Sequence, residues 1–139
     1  MLRRKVTERL LEWKQVSHKA LLVTGARQIG KSYAIRDFGR SSYGVYFEAN
    51  LLLDAAARDS LTKARDAADF VSRVAMLSKQ TLVEGDTLIF VDEIQEFPEI
   101  VTLMKALVED GRFSYVFSGS MLGTEFKGIS SFPVGYVER

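Results

Sequence analysis

Gly25-Ala-Arg-Gln-Ile-Gly-Lys-Ser32 is the stretch of this 139-residue sequence that most strongly predicts its fold. The stretch matches the pattern G-x-x-x-x-G-K-[ST] at every fixed position. Glycines let a backbone curl so that its N–H groups point at an anion, and a following helix adds its positive N-terminal end. Lys31 adds a mobile positive charge, and the Ser32 hydroxyl is a hard oxygen ligand that suits Mg²⁺. The stretch therefore predicts a phosphate-binding loop.

The residues on either side of this loop supply the context that the pattern requires. Residues 20–24 form an apolar run that predicts a strand buried on both faces, and residues 31–38 predict a helix that Gly39 ends. Arg27 lies at the tip of the loop, where it contacts phosphate, a partner or only solvent. The residues expected to line the phosphate site are Gly25, Ala26, Arg27, Gln28, Ile29, Gly30, Lys31, Ser32 and Tyr33.

A second apolar run, residues 87–91, is followed by two acids, Asp92 and Glu93. A parallel strand that ends in carboxylates places them at the carboxyl edge of the sheet, where open α/β sheets bind ligands. We expect Asp92 to hold Mg²⁺ together with Ser32. Glu93 is then expected to orient and deprotonate a water that attacks the γ-phosphate. Two acids after a strand are weak evidence alone, but they become strong after a complete phosphate loop.

Polar residues near these acids leave alternatives open. Ser118 and Ser120 follow another predicted strand, and they either reach the γ-phosphate or the catalytic water, or are ordinary turn serines. Gln95 either bridges to the water or caps a turn. The sequence after Asp92 lacks the D-x-x-G of a GTPase switch, and no N-K-x-D or T-K-x-D tetrapeptide is present, so ATP is expected rather than GTP.

The remaining pattern predicts helices that alternate with strands. Such alternation implies right-handed crossovers, and hence an α/β fold with a mostly parallel sheet and helices on both faces. The predicted helices are about 3–16, 31–38, 66–78 with Asp66 as its cap, and one that starts with Pro98 and runs to Gly111; the predicted strands are 20–24, 44–48, 87–91, 114–118 and 133–137. Residues 50–65 are expected to be a loop with one or two helical turns.

Composition excludes several classes of site. The sequence has no cysteine and a single histidine, which rules out disulfides, thiolate zinc sites and multi-histidine metal sites. The formal net charge of +1 gives no support for a nucleic-acid surface, although it does not exclude one. The N-terminus lacks a signal peptide's apolar run and no stretch suits a membrane span, so we expect a cytoplasmic protein.

Four segments together resemble the prokaryotic AAA-superfamily ATPases whose phosphate loop reads G-A-R-Q-x-G-K: residues 10–13, residues 25–32, Val91-Asp-Glu-Ile-Gln95 and Phe117-Ser-Gly-Ser120. The resemblance implies a three-layer P-loop fold of the ASCE type with strand order 5-1-4-3-2. It also implies that Glu93 is the catalytic glutamate and that Ser118 or Ser120 is a sensor-like residue. The D-E-I-Q wording corresponds to the family's Walker B motif.

The same resemblance implies that residues 1–139 are the N-terminal ATPase domain of a longer protein, since family members are commonly about three times longer. The expected partners are ATP and ADP, a missing C-terminal region or another protein, and further copies of the chain. No arginine finger is identified, so weak hydrolysis is expected from this domain alone. Two alternatives stay open: an ATP-binding regulatory or assembly module without turnover, and a P-loop kinase acting on a small molecule.

Overall fold

The computed structural model describes residues 8, 10–12, 14, 20–24, 29–119 and 134–138, with the backbone alone for residues 24, 29–31 and 134–138. Five strands form one sheet in the order β2-β3-β4-β1-β5, and every neighbouring pair is parallel. The predicted strand order is therefore confirmed. The strands are β1 (Ala20–Thr24), β2 (Val45–Asn50), β3 (Thr87–Asp92), β4 (Ser114–Ser118) and β5 (Val134–Glu138).

Within residues 29–119, four helices connect or flank these strands: α1 (Ile29–Ser42), α2 (Ala55–Leu61), α3 (Ala67–Ser78) and α4 (Ile100–Asp110). A short 3₁₀ turn, Ile94–Glu96, follows β3. Of the predicted N-terminal helix, residues 8, 10–12 and 14 are described, and all are helical. No helix in the described part of the chain is both long and apolar enough to cross a membrane.

Two helices begin at the residues that the sequence favours as caps. Asp66 accepts a hydrogen bond from the backbone N–H of Asp69 at 2.8 Å, and α3 starts directly after it as predicted. Asp54 accepts from the backbone N–H of Ala57 at 3.1 Å and caps α2. The region predicted as a loop with helical turns thus contains a seven-residue helix.

The prediction that Gly39 ends the first helix is wrong, because α1 continues to Ser42. Gly39 has a packing role instead. A Cβ at this position would lie 2.3 Å from a ring carbon of Tyr46, so the glycine lets β2 and α1 approach closely.

Pro98 also differs from its predicted place as the first helical residue, since α4 begins two residues later at Ile100. The backbone N–H of Ile100 donates to Phe97, three residues back, at 3.0 Å. The tight turn after β3 therefore extends to the start of the helix. Gly111 ends α4 in the left-handed conformation, with φ 72°, as the sequence predicts.

The sheet separates two apolar layers, because successive residues of each strand point to opposite faces. One layer joins Ile89, Val91 and Phe117 to helices α2, α3 and α4. The other joins Phe90 and Val116 to α1 and to Leu10 of the N-terminal residues. This three-layer arrangement confirms the predicted fold class. It also puts α1 on the face of the sheet that Asp92 shares with Leu88 and Phe90, which lie four and two residues before it.

Candidate functional site

The carboxyl ends of β1, β3 and β4 lie at one edge of the sheet, because the three strands are neighbours and parallel. β1 leads into the predicted phosphate loop, β3 ends at Asp92, and β4 ends at Ser118. The topology therefore brings together three segments that the sequence singled out separately. Such an edge is where open α/β sheets bind ligands.

Ser32 and Asp92 are in direct contact at this edge. The Ser32 hydroxyl donates a hydrogen bond to Asp92 Oδ2 at 2.9 Å, although 60 residues separate the two in sequence. Ser32 lies in the first turn of α1, and Asp92 is the last residue of β3 with 6% of its surface exposed. The other carboxylate oxygen, Oδ1, accepts the backbone N–H of Glu93 at 2.8 Å. Both oxygens of Asp92 are thus oriented by the fold.

Glu93 stands directly after β3 in a conformation that side chains other than glycine rarely adopt. Its φ is 58° and its ψ is 48°, in the left-handed region. Gln95 Nε2 donates a hydrogen bond to Glu93 Oε1 at 2.5 Å. Non-glycine residues in this region tend to cluster at functional sites, where the surrounding structure holds them in place.

Ser118 ends β4 beside these acids and is fully buried. Among the described residues, its Oγ atom has no hydrogen-bond partner. The next residue, Gly119, donates its backbone N–H to Val23 O of β1 at 3.3 Å. An unpaired buried hydroxyl is costly in a native fold, so Ser118 is a candidate for a group that meets a ligand.

One cluster in this region went unnoticed in the sequence. Arg36, one helical turn after Ser32, donates two hydrogen bonds of 2.8 Å to the two carboxylate oxygens of Glu48 on β2. The Tyr46 hydroxyl donates to Glu48 Oε1 at 2.7 Å. The only sequence signal was the spacing: Arg36 lies four residues after Ser32, and Tyr46 and Glu48 share one face of β2.

These contacts shift the pKa values of all three groups. Burial alone would raise the pKa of Glu48, but the hydrogen bonds from Arg36 and Tyr46 outweigh it and lower the pKa. The bond to Glu48 raises the pKa of the Arg36 guanidinium. Burial, followed by the hydrogen bond to Glu48, raises the pKa of Tyr46. The ion pair thus stays charged at neutral pH and links α1 to β2 beside the site.

The donor set fits a magnesium ion that is shared with a nucleotide. Ser32 and Asp92 offer hydroxyl and carboxylate oxygens, which Mg²⁺ prefers, and they already lie within hydrogen-bond distance. In the described part of the chain, no group of three or more His, Asp or Glu side chains forms a cage for a metal. Mg²⁺ commonly uses one or two protein ligands plus substrate phosphates.

Several predicted site residues are described only in part or not at all. Gly25, Ala26, Arg27, Gln28 and Ser120 lie outside the described residues. The backbones of Ile29, Gly30 and Lys31 form the first turn of α1, directly before Ser32. Tyr33 follows Ser32 in α1, and 51% of its surface is exposed.

Comparison with solved structures supports the fold. The chain resembles the Walker-type ATPase paby2304 of Pyrococcus abyssi with a TM-score of 0.59 and 16% identity, over 98% of this chain and 52% of that one. It also resembles PCH-2 of C. elegans with a TM-score of 0.51 and 11% identity, over 99% of this chain and 41% of that one. The chain thus spans about half or less of these structures. No curated protein matches the sequence.

A family model described as an AAA domain matches residues 17–139. The match includes the predicted phosphate loop, all five strands and the acids after β3. Since it covers most of the sequence, the chain belongs to the AAA domain family and is a P-loop ATPase domain of the AAA superfamily.

Proposed function

We propose that this domain binds Mg-ATP and cleaves the γ-phosphate by water attack. The observation that carries the proposal is the 2.9 Å hydrogen bond between the Ser32 hydroxyl and Asp92 Oδ2. It joins the end of the phosphate-loop pattern to the acids after β3, so the two motifs that the sequence singled out lie at one place. The family to which the chain belongs supports the same nucleotide chemistry.

In this proposal each residue has one task. The loop amides and the Lys31 ammonium neutralise charge that grows on the phosphate oxygens during cleavage. Ser32 and Asp92 hold Mg²⁺, which supplies further neutralisation when it is bound. Glu93 orients the attacking water and accepts its proton. Ser118, whose buried hydroxyl has no partner among the described residues, donates to the phosphate or to the water.

Weak turnover by the isolated domain belongs to the same proposal. Arg112 donates to Asp110 at 2.9 Å and lies just before β4, at the opposite end of that strand from Ser118. It therefore does not reach the phosphates of its own chain. An arginine that stabilises the transition state contributes about 10³ to 10⁵ in rate, so its supply by a second copy or another segment would raise turnover strongly.

Titration calorimetry with ATP and GTP tests the binding site. We expect Lys31→Ala to weaken Mg-ATP binding at least tenfold, about 1.4 kcal/mol, because the charge on the phosphates loses its partner. Lys105→Ala, at an exposed position of α4, is the matched control and should bind as the parent does. Equal affinity of Lys31→Ala and the parent would refute the site, and a tenfold preference for GTP would refute the choice of adenine.

Ser32→Ala separates the contribution of Mg²⁺ to ATP affinity from the contribution of the phosphate loop. When a chelator removes Mg²⁺, we expect the variant and the parent to bind ATP with equal affinity. When Mg²⁺ is added, the variant should bind ATP more weakly than the parent. Ser72→Ala, exposed on α3, serves as the control. A loss of affinity that is the same with and without Mg²⁺ would contradict the assignment of Ser32 to the metal.

Glu93→Gln distinguishes hydrolysis from the two alternatives. In an ATPase the variant should keep ATP bound and lower phosphate release by about 10²-fold or more, since an amide cannot accept the proton of water. A pure binding module would show no change. A kinase would transfer the labelled phosphate to an added acceptor instead of releasing it. Glu84→Gln, exposed in the turn before β3, is the control.

A further inference from the structure

Gln95 connects the proposed catalytic glutamate to the end of β4. Its Nε2 atom donates to Glu93 Oε1 at 2.5 Å. Its other amide atom, Oε1, lies on the opposite side, against Gly119: a Cβ built on Gly119 would be only 2.8 Å from it. The amide is thus held between the acid that follows β3 and the glycine that follows β4.

Gly119 makes room for this amide because it has no side chain. Its φ lies outside the left-handed region, so an alanine is able to adopt the same backbone. The added Cβ would meet Gln95 Oε1 at 2.8 Å and Ile94 Cγ1 at 3.1 Å. The Gly119 backbone is itself anchored to β1 through its bond to Val23 O. Glycine is therefore favoured at position 119 because a larger residue would not fit, and not because the backbone conformation requires glycine.

The turn that carries Gln95 is rigid. Glu96 N–H donates to Glu93 O at 3.1 Å, and Phe97 N–H donates to Ile94 O at 2.8 Å. The side chains of Ile94 and Phe97 are buried in the core under the turn. A rigid turn fixes the point from which the Gln95 side chain reaches back to Glu93.

The buried oxygen of Gln95 shows which contact matters. Gln95 Oε1 is buried and has no hydrogen-bond partner among the described residues. A hydrogen bond to a carboxylate is stronger than one between neutral groups, so the Nε2 contact with Glu93 dominates the orientation of the amide. Among the described residues, Glu93 is therefore the group on which the Gln95 amide acts.

We propose that Gln95 is a positioning residue that fixes the carboxylate of Glu93, and that Gly119 is required to leave space for it. This inference rests on the proposed function, in which Glu93 aims the attacking water. The Nε2 donor holds one carboxylate oxygen of Glu93 and so restricts the rotation of that carboxylate, directly after the Asp92 that contacts Ser32. Displacement of a catalytic group by about 1 Å is enough to slow a reaction strongly.

Steady-state ATP hydrolysis of Gln95→Leu, Gly119→Ala and the double variant tests the inference. We expect kcat to fall about 10- to 100-fold in each single variant, with the Kd for Mg-ATP nearly unchanged. The double variant should lose no more than Gln95→Leu alone, because Gly119→Ala acts through the same amide. The alanine clash falls on the end of a flexible side chain, so folding should survive it. Independent, multiplying losses would overturn the link.

The side-chain amide signals of Gln95 provide a readout that does not need turnover. In the parent, NMR should show one Nε2 proton shifted downfield by its bond to a carboxylate. The shift should disappear in Glu93→Ala and move towards free-amide values in Gly119→Ala. Identical Gln95 signals in the parent and both variants would overturn the inference, also where parent turnover is too slow to measure.

The two proposals fail in different ways. If the parent does not bind Mg-ATP, the proposed function is wrong whatever Gln95 does. If the parent binds and hydrolyses ATP but Gln95→Leu has the parent kcat, the positioning role alone is wrong. Gln80→Leu, the same change at an exposed position after α3, should leave kcat and melting temperature unaltered.

Discussion

Two residues of the site adopt states that folding alone does not favour. Glu93 occupies the left-handed region, which costs a non-glycine residue about 1–3 kcal/mol, and Ser118 buries a hydroxyl without a partner among the described residues. Both follow a strand at the same edge of the sheet. A ligand that binds at this edge, next to the Ser32–Asp92 contact, would account for both states.

Replacing Ser118 with alanine should therefore separate stability from activity. The free energy of unfolding without nucleotide should stay the same or rise by about 1 kcal/mol, because an unsatisfied buried polar group is removed. Phosphate release should fall about tenfold or more, because a donor to the phosphate or water is lost. Urea denaturation and a phosphate-release assay measure the two quantities.

The control is Ser72→Ala on the exposed face of α3, which should change neither quantity. A large loss of stability in Ser118→Ala would mean that its hydroxyl has a structural bond. Unchanged phosphate release would remove Ser118 from the site and leave Ser120, outside the described residues, as the remaining sensor candidate.

At the scale of single elements, the ends of helices and strands were harder to predict than their cores. The apolar run of β3 and the cap of α3 were identified from local sequence because burial and capping depend on neighbouring residues. Gly39 was misinterpreted because its small size serves a contact with Tyr46, which lies on another element. Local propensity carries no information about such a contact, and tertiary packing overrides it.

The link between Arg36 and Glu48 could not be predicted for the same reason. Two charges 12 residues apart form a pair only if the rotation of α1 turns Arg36 towards β2. The structure shows that rotation, and the same rotation directs Ser32 at Asp92 one turn earlier in the helix. The ion pair and the close approach at Gly39 thus fix the helix that carries the phosphate-loop serine.

Glu48→Gln should lower stability in a pH-dependent way. The folded pKa of Glu48 lies below its unfolded value, so the charged form contributes stability that is complete above about pH 4.3. The contribution is lost as the pH falls through the folded pKa. We expect the parent to exceed the variant by about 1 kcal/mol at neutral pH, the pair being partly exposed, and the difference to shrink in acid.

Urea denaturation of both proteins between neutral pH and pH 3 measures this difference. Glu109→Gln is the control, because Glu109 is exposed on α4, and its free energy of unfolding should equal that of the parent at each pH. A difference that stays constant down to pH 3 would show that the charge of Glu48 is not what stabilises α1.

At the scale of the whole molecule, the architecture was predicted well because few alternatives remain for strands that alternate with helices. Parallel connections with right-handed crossovers limit the topology, and the family resemblance implied the observed strand order. The site was predicted in part: Asp92 and Ser32 followed from their motifs and do meet. The hydrogen bond from Gln95 to Glu93 could not be predicted from the sequence. It depends on the space beside Gly119, a residue that lies on another element.

A ligand that bridges α1 and β3 should stabilise the whole fold. β3 contributes to both apolar layers of the sheet and α1 packs in one of them, so holding the two together opposes global unfolding. At a concentration of about 100 times its Kd, Mg-ATP should add about 2.7 kcal/mol to the free energy of unfolding, a rise of about 5–15 °C in melting temperature. When a chelator removes Mg²⁺, ATP at the same concentration should give a smaller rise in melting temperature. Ser32→Ala should show this smaller rise both with and without Mg²⁺. Differential scanning calorimetry measures the melting temperatures. Equal increments in Ser32→Ala and the parent would show that the metal does not join α1 to β3, and the contact between Ser32 and Asp92 would then be structural only.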